Sequence, residues 1–116
     1  MTIRIERIGE QVRGELSRLL RDEVSDPRIG MVSLTRVEVA PDLSTASVFW
    51  SPLDAEAPDV ERVAQGLTSA AGFLRKRLAR ELSLRRTPEL RFRHDPSLEL
   101  GAHTLALLRG LEDPDG

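Results

Sequence analysis

The sequence contains no cysteine and no tyrosine, and only three phenylalanines and one tryptophan among 116 residues. Without cysteine there is no disulfide framework and no thiolate metal site. A reducing compartment fits, and the cytoplasm is the expected location. Long apolar runs are also missing, which excludes a membrane-spanning helix. The opening segment MTIRIERIGEQVRGEL is charged throughout and lacks the apolar stretch of a signal peptide. No P-loop, GxGxxG or Ser/His/Asp constellation occurs, so neither enzymatic activity nor a small-molecule substrate is expected. The two histidines, His94 and His103, have no third ligand at suitable spacing, and no metal or other cofactor is expected. His94 alternates with apolar residues and reads as a core histidine.

The scarcity of aromatics bears on nucleic acids. Single-strand binders use aromatic platforms to stack bases. Here Phe49, Trp50, Phe73 and Phe92 are the whole set, and Trp50 and Phe92 fit a core. If this chain binds RNA, backbone and shape recognition is the expectation.

Charge is plentiful and unevenly placed. The net charge is −2, which alone argues against a nucleic-acid binder. Residues 37–61, however, carry six acids (Glu38, Asp42, Asp54, Glu56, Asp59, Glu61) and no Lys or Arg. Residues 72–93 carry eight cations (Arg75, Lys76, Arg77, Arg80, Arg85, Arg86, Arg91, Arg93) against Glu81 and Glu89. Such asymmetry points to a polyanion on one side of the molecule, with the acidic side facing away.

The periodicities give seven elements. Apolar residues at helical spacing from Ile5 to Val24 predict an amphipathic helix, stopped at Ser25-Asp26-Pro27 because the residue before proline avoids the α region. MVSLTRVEV (31–39) and TASVFWS (45–51) alternate like strands around the turn APDLS, so 31–51 predicts a β-hairpin. Within 31–39 the phase shifts between Leu34 and Val37, as a bulge or a doubly buried strand would make it. A second stripe, Val60 to Leu82, predicts helix through Gly72; TPELRFRHD (87–95) predicts a third strand; and a short helix with Leu98, Leu105 and Leu108 follows. Asp26, Asp42 and Asp95 adjoin turns and read as turn and cap residues. The order α-β-β-α-α-β-α implies an α+β domain whose three-stranded sheet has helices on one face.

The fourth and fifth elements are counted apart because of Gly72. Glycine inside a helix costs about 1 kcal/mol relative to alanine. A straight helix over 57–82 would be about 39 Å long in a domain whose radius of gyration is about 13 Å. A bend at Ala70-Ala71-Gly72 would let both halves pack, and small residues there would admit a close phosphate. Beyond it, Lys76, Arg77 and Arg80 lie opposite Leu74, Leu78 and Leu82, so charge changes at these cations are expected to leave the fold intact.

Taken together, RIERIGEQVRGELSRLL with DPRIG after it, VEVAPDLSTASV, LTSAAGFLRKRLA, LRRTPELRF and HDPSLELG resemble the ribosome-binding factor A family over about residues 3–108. The resemblance implies a type II K-homology fold in which an Ala-x-Gly kink, here Ala70-Ala71-Gly72, replaces the usual GxxG loop. It also implies a non-enzymatic assembly factor that binds the immature small ribosomal subunit and assists late maturation of its RNA, including the 5′ region. On this reading residues 1–111 form one K-homology-like RNA-binding domain, expected to be monomeric, and 112–116 form an acidic flexible tail. Arg75, Lys76, Arg77, Arg80 and Arg85 would contact phosphates, with Arg86, Arg91 and Arg93 extending the surface. A protein-interaction module, docking its basic helix on an acidic partner, is the alternative.

Overall fold

The computed structural model describes residues 2–53, 59–97 and 107–108. Within them run α1 (Thr2–Asp22), β1 (Val32–Val39), β2 (Thr45–Pro52), α2 (Val60–Glu81) and β3 (Glu89–His94). The sheet order is β1-β2-β3: β1 and β2 form the antiparallel hairpin, and α2 is the crossover that brings β3 parallel to β2. The α+β class and the three-stranded sheet match the sequence reading. The 112–116 tail and most of the last helix fall outside the described residues; Leu107 and Leu108 are helical and exposed.

Both helices cover one face of the sheet. From α1, Ile8, Val12, Leu16 and Leu19 are buried; from α2, Val63, Leu67, Leu74 and Leu78. They meet Leu34 and Val39 of β1, Ala46, Val48 and Trp50 of β2, and Leu90 of β3. The phase shift in β1 is a bulge: Leu34 pairs with Trp50 and Arg36 with Phe49, so Thr35 is the extra residue and both Leu34 and Val37 stay on the helix side. His94 stands on that side too, its ring 5.1 Å from that of Trp50.

The three turn aspartates do what their positions predict. Asp26, Asp42 and Asp95 each accept the backbone N–H two residues on, at 2.9 Å from Arg28, 3.0 Å from Ser44 and 2.9 Å from Ser97. Asp95 also accepts from the Thr35 hydroxyl at 2.5 Å, tying the end of β3 to the bulge. That hydroxyl, then the Ser97 N–H, lowers the Asp95 carboxyl to about 2. Asp26 is lowered to about 2 as well, first by the Arg28 guanidinium.

In place of the predicted helix pair there is a single element. One α-helix spans Val60–Glu81, capped by Asp59, whose carboxylate accepts the Arg62 N–H, and closed by the Leu82 N–H on the Leu78 carbonyl. Gly72 sits inside it without a positive φ, and a Cβ added there would meet nothing within 4 Å. An unbroken helix finds packing beyond the sheet, at the DPRIG turn. That turn extends the packed surface, because Ile29 is buried beside Gly66. Gly66 is the helix's close-contact glycine: a Cβ there would lie 2.7 Å from Ile29 Cγ1 and 3.2 Å from Arg28 Cβ. Gly9 plays the same part on α1, where a Cβ would lie 2.7 Å from the Val37 carbonyl oxygen.

Candidate nucleic-acid interface

The C-terminal half of α2 presents two sides. Leu74 and Leu78 are fully buried, while Phe73, Arg75, Lys76 and Arg80 are exposed. The helix is amphipathic here because four-residue spacing puts both leucines on the arc facing the sheet. Arg80 in the last turn is also favoured by the helix dipole.

The eight predicted cations do not form one patch. Lys76 and Arg80 project from the helix with no hydrogen bond or ion pair among the described residues. Arg75 is exposed but held, donating to the Thr87 carbonyl at 2.9 Å and so tying α2 to the loop that leads into β3. Arg75 keeps further guanidinium donors beyond that bond.

Arg77 differs from its neighbours. Its side chain is only 22% exposed and bridges Glu23, at 2.6 Å, and Glu81, at 3.4 Å. Its guanidinium carbon lies 5.8 Å from the centre of the Phe73 ring, and its Nε is buried. Glu23 is shared with Arg18 at 3.5 Å, so the cluster fastens α2 to the end of α1. The Glu23 carboxylate raises the Arg77 guanidinium further above its ordinary value, with Glu81 adding to the effect. The expectation that charge changes at this position leave the fold untouched therefore does not hold for Arg77.

Arg85 lies elsewhere, on a groove between the start of α1, the β1–β2 turn and the loop after α2. Arg4, Ile5, Ile8, Pro41, Asp42 and Leu43 complete its lining. Arg7 joins the same edge. Arg86 is near enough to Asp42 to lower its carboxyl, although the Ser44 hydroxyl is the larger cause. Arg4 and Arg7 have no signal in the linear charge count, because they sit more than seventy positions from Arg85 in the chain.

Arg91 and Arg93 are exposed and alternate with inward-facing Leu90, Phe92 and His94. They lie on the sheet face away from both helices, so they do not join the α2 cations. Phe49 and Arg36 share that face, which neither described helix covers. Among the described residues no group of three or more His, Asp or Glu side chains is placed to hold a metal ion. No described helix is long and apolar enough to cross a membrane.

The sequence profile of the family described as Ribosome-binding factor A matches residues 4–108. A ribosome-binding factor A of Pseudomonas syringae pv. syringae is 42% identical over 114 residues, covering 97% of this chain and 83% of the relative. The crystal structure of ribosome-binding factor A from Thermus thermophilus aligns with a TM-score of 0.68 at 26% identity, covering 78% of this chain and 93% of that one. A homology model of the Thermus thermophilus protein, fitted into a cryo-EM map of a 30S complex, aligns at 0.64 with 24% identity, covering 79% and 96%. The likeness carries the K-homology-like fold of these proteins to this chain.

Proposed function

The chain belongs to the ribosome-binding factor A family, and from that premise we propose that it binds the immature small ribosomal subunit through RNA phosphates and assists late maturation of the subunit RNA, including its 5′ region. The observation that carries this reading is the pair Lys76 and Arg80: exposed cations, one helical turn apart, on one continuous helix and with no partner among the described residues. A cation already neutralised by a carboxylate gains little from a phosphate, whereas an unpaired one gains the full attraction and releases counterions from the RNA. Arg75 borders the pair. A Thermus thermophilus relative has been placed in a map of a 30S complex, which supports the choice of ligand.

The mechanism is non-catalytic. A rigid α+β body with its cations on α2 docks on phosphates and holds a local RNA arrangement while maturation proceeds. It works as a monomer in the cytoplasm. Gly72 keeps a function in this reading, though a different one: with no Cβ, and open space around it, it lets an RNA backbone approach the helix beside Lys76.

Co-sedimentation with purified immature small subunits tests this. Lys76→Ala with Arg80→Ala should weaken binding at least about ten-fold, since phosphate contacts of this kind dominate such affinities. Arg21→Ala, which removes an exposed arginine already paired with Asp22 at 3.0 Å, should leave it unchanged. Equal losses from both would contradict the reading, and so would binding of the double variant at wild-type strength.

A further inference from the structure

We propose that the sheet face away from the two described helices carries a second RNA surface, built for single-stranded RNA: a base stacks on the Arg36–Phe49 pair while Arg91 and Arg93 hold the flanking phosphates. The inference rests on RNA being the ligand of this chain and adds a site on the opposite side from α2.

The register carries the argument. Phe49 of β2 pairs with Arg36 of β1 on one side and with Arg93 of β3 on the other, so the three side chains form one row across the sheet. In the next row Ser47 lies between Glu38 and Arg91. Neighbouring strands are about 4.8 Å apart, which places an aromatic ring within reach of cations on both sides.

The Arg36 guanidinium already lies over the Phe49 ring, its central carbon 4.0 Å from the centroid. The Glu38 carboxylate pairs with Arg36 Nε at 3.2 Å and holds it there. A guanidinium stacked on a ring is itself a stacking plane for a base. The Arg36 side chain is 58% exposed, so the plane is open to solvent. Arg91 and Arg93 are exposed and have no partner among the described residues. Glu38 is taken up by Arg36, and Glu89 lies at the start of β3, so Arg91 and Arg93 are the cations of this face left to hold an anion. The stacked ring among them favours single-stranded RNA over an acidic peptide, because only a nucleic acid supplies a flat base at one position and phosphates on either side of it.

The test uses the full chain and a fluorescein-labelled octauridylate, read by anisotropy, with backbone amide NMR to locate the contacts. Wild type should bind, with the largest shifts at Arg36, Phe49, Arg91 and Arg93. Phe49→Leu keeps the apolar bulk and removes the ring; it should weaken binding about five-fold or more, the loss of one stacked base. Arg91→Glu with Arg93→Glu should weaken it more, with circular dichroism unchanged. The proposal is overturned if wild type does not bind the oligonucleotide, if the shifts are confined to α2, or if Phe49→Leu binds as wild type. It is overturned too if octaglutamate binds the same residues regardless of Phe49, which would assign the face to a protein. Failure here is distinct from failure of the α2 reading: the Lys76 and Arg80 variants report on subunit co-sedimentation, which the sheet variants need not change for that reading to stand.

Discussion

At Gly66 the missing Cβ lets α2 rest against Ile29 and Arg28; at Gly72, on the same helix, the missing Cβ leaves empty space. The first half of α2 is held by the turn beneath it, and its glycine is a packing residue. The second half is held by Leu74 and Leu78 from one side only, and its other side carries Phe73, Lys76 and Arg80 into solvent. The same residue type therefore does two jobs, and what a Cβ would touch tells them apart. The cations divide in the same way. Arg77 has found carboxylates and works as a fastener, while Lys76, the residue before it, has none.

The largest effect should come from the glycines. Gly66→Ala must push Ile29 or the helix aside and should cost about 1–3 kcal/mol, the usual range for overpacking. Gly72→Ala should stabilise by about 0.5–1 kcal/mol, since it removes a helix-interior glycine without a clash. Urea unfolding of the two variants measures the difference directly; equal effects would dissolve the contrast between the halves. Gly9→Ala, whose Cβ would meet a backbone carbonyl rather than a side chain, should behave like Gly66→Ala.

Next come the adjacent cations. Arg77→Glu would gather three carboxylates with Glu23 and Glu81 and should lower the melting temperature by several degrees. Lys76→Glu should leave it in place, because its side chain is exposed and unpaired. A thermal scan in which both variants melt alike would remove the distinction between fastener and ligand site. A combined reversal of Lys76, Arg77 and Arg80 mixes the two effects and is a poor probe of binding.

The smallest effect is on pH dependence. Asp95 is lowered from its ordinary value of 3.8 to about 2 by the Thr35 hydroxyl. A folded-state pKa below the unfolded one gives stability that is fully present above about pH 4 and is lost as pH falls through about 2. Thr35→Val should reduce the acid sensitivity in that window and leave the stability difference between pH 6 and pH 8 unchanged. Acid titrations followed by Trp50 fluorescence would show it; identical profiles would separate Asp95 from the bulge.

Much of this was legible in the sequence. The hairpin, the third strand, both amphipathic helices and the turn aspartates follow from periodicity and turn chemistry, which are local. Even the bulge left its mark, as the shifted phase between Leu34 and Val37. The roles of the glycines were not legible, because they depend on what lies across from each one, and Ile29 is far from Gly66 in the chain. The charge count located the basic segment correctly but could not divide it. Arg77 meets Glu23 across fifty-four positions, and Arg91 and Arg93 turn to the other side of the sheet because strand alternation continues past the loop. Phe49 was the harder case: the few aromatics suggested no stacking platform, and only strand pairing brings the Arg36 guanidinium over its ring.

The central claim is that Lys76 and Arg80 are phosphate ligands and not a solvated face. Each phosphate neutralised on single-stranded RNA contributes about −0.7 to the slope of log affinity against log salt, and on a duplex about −0.9. The decisive measurement is subunit co-sedimentation across a salt series for wild type and for Lys76→Ala with Arg80→Ala, both checked for folding by circular dichroism. The account predicts weaker binding and a slope shallower by about 1.4 to 1.8, two contacts' worth. A folded double variant with the wild-type slope would contradict it.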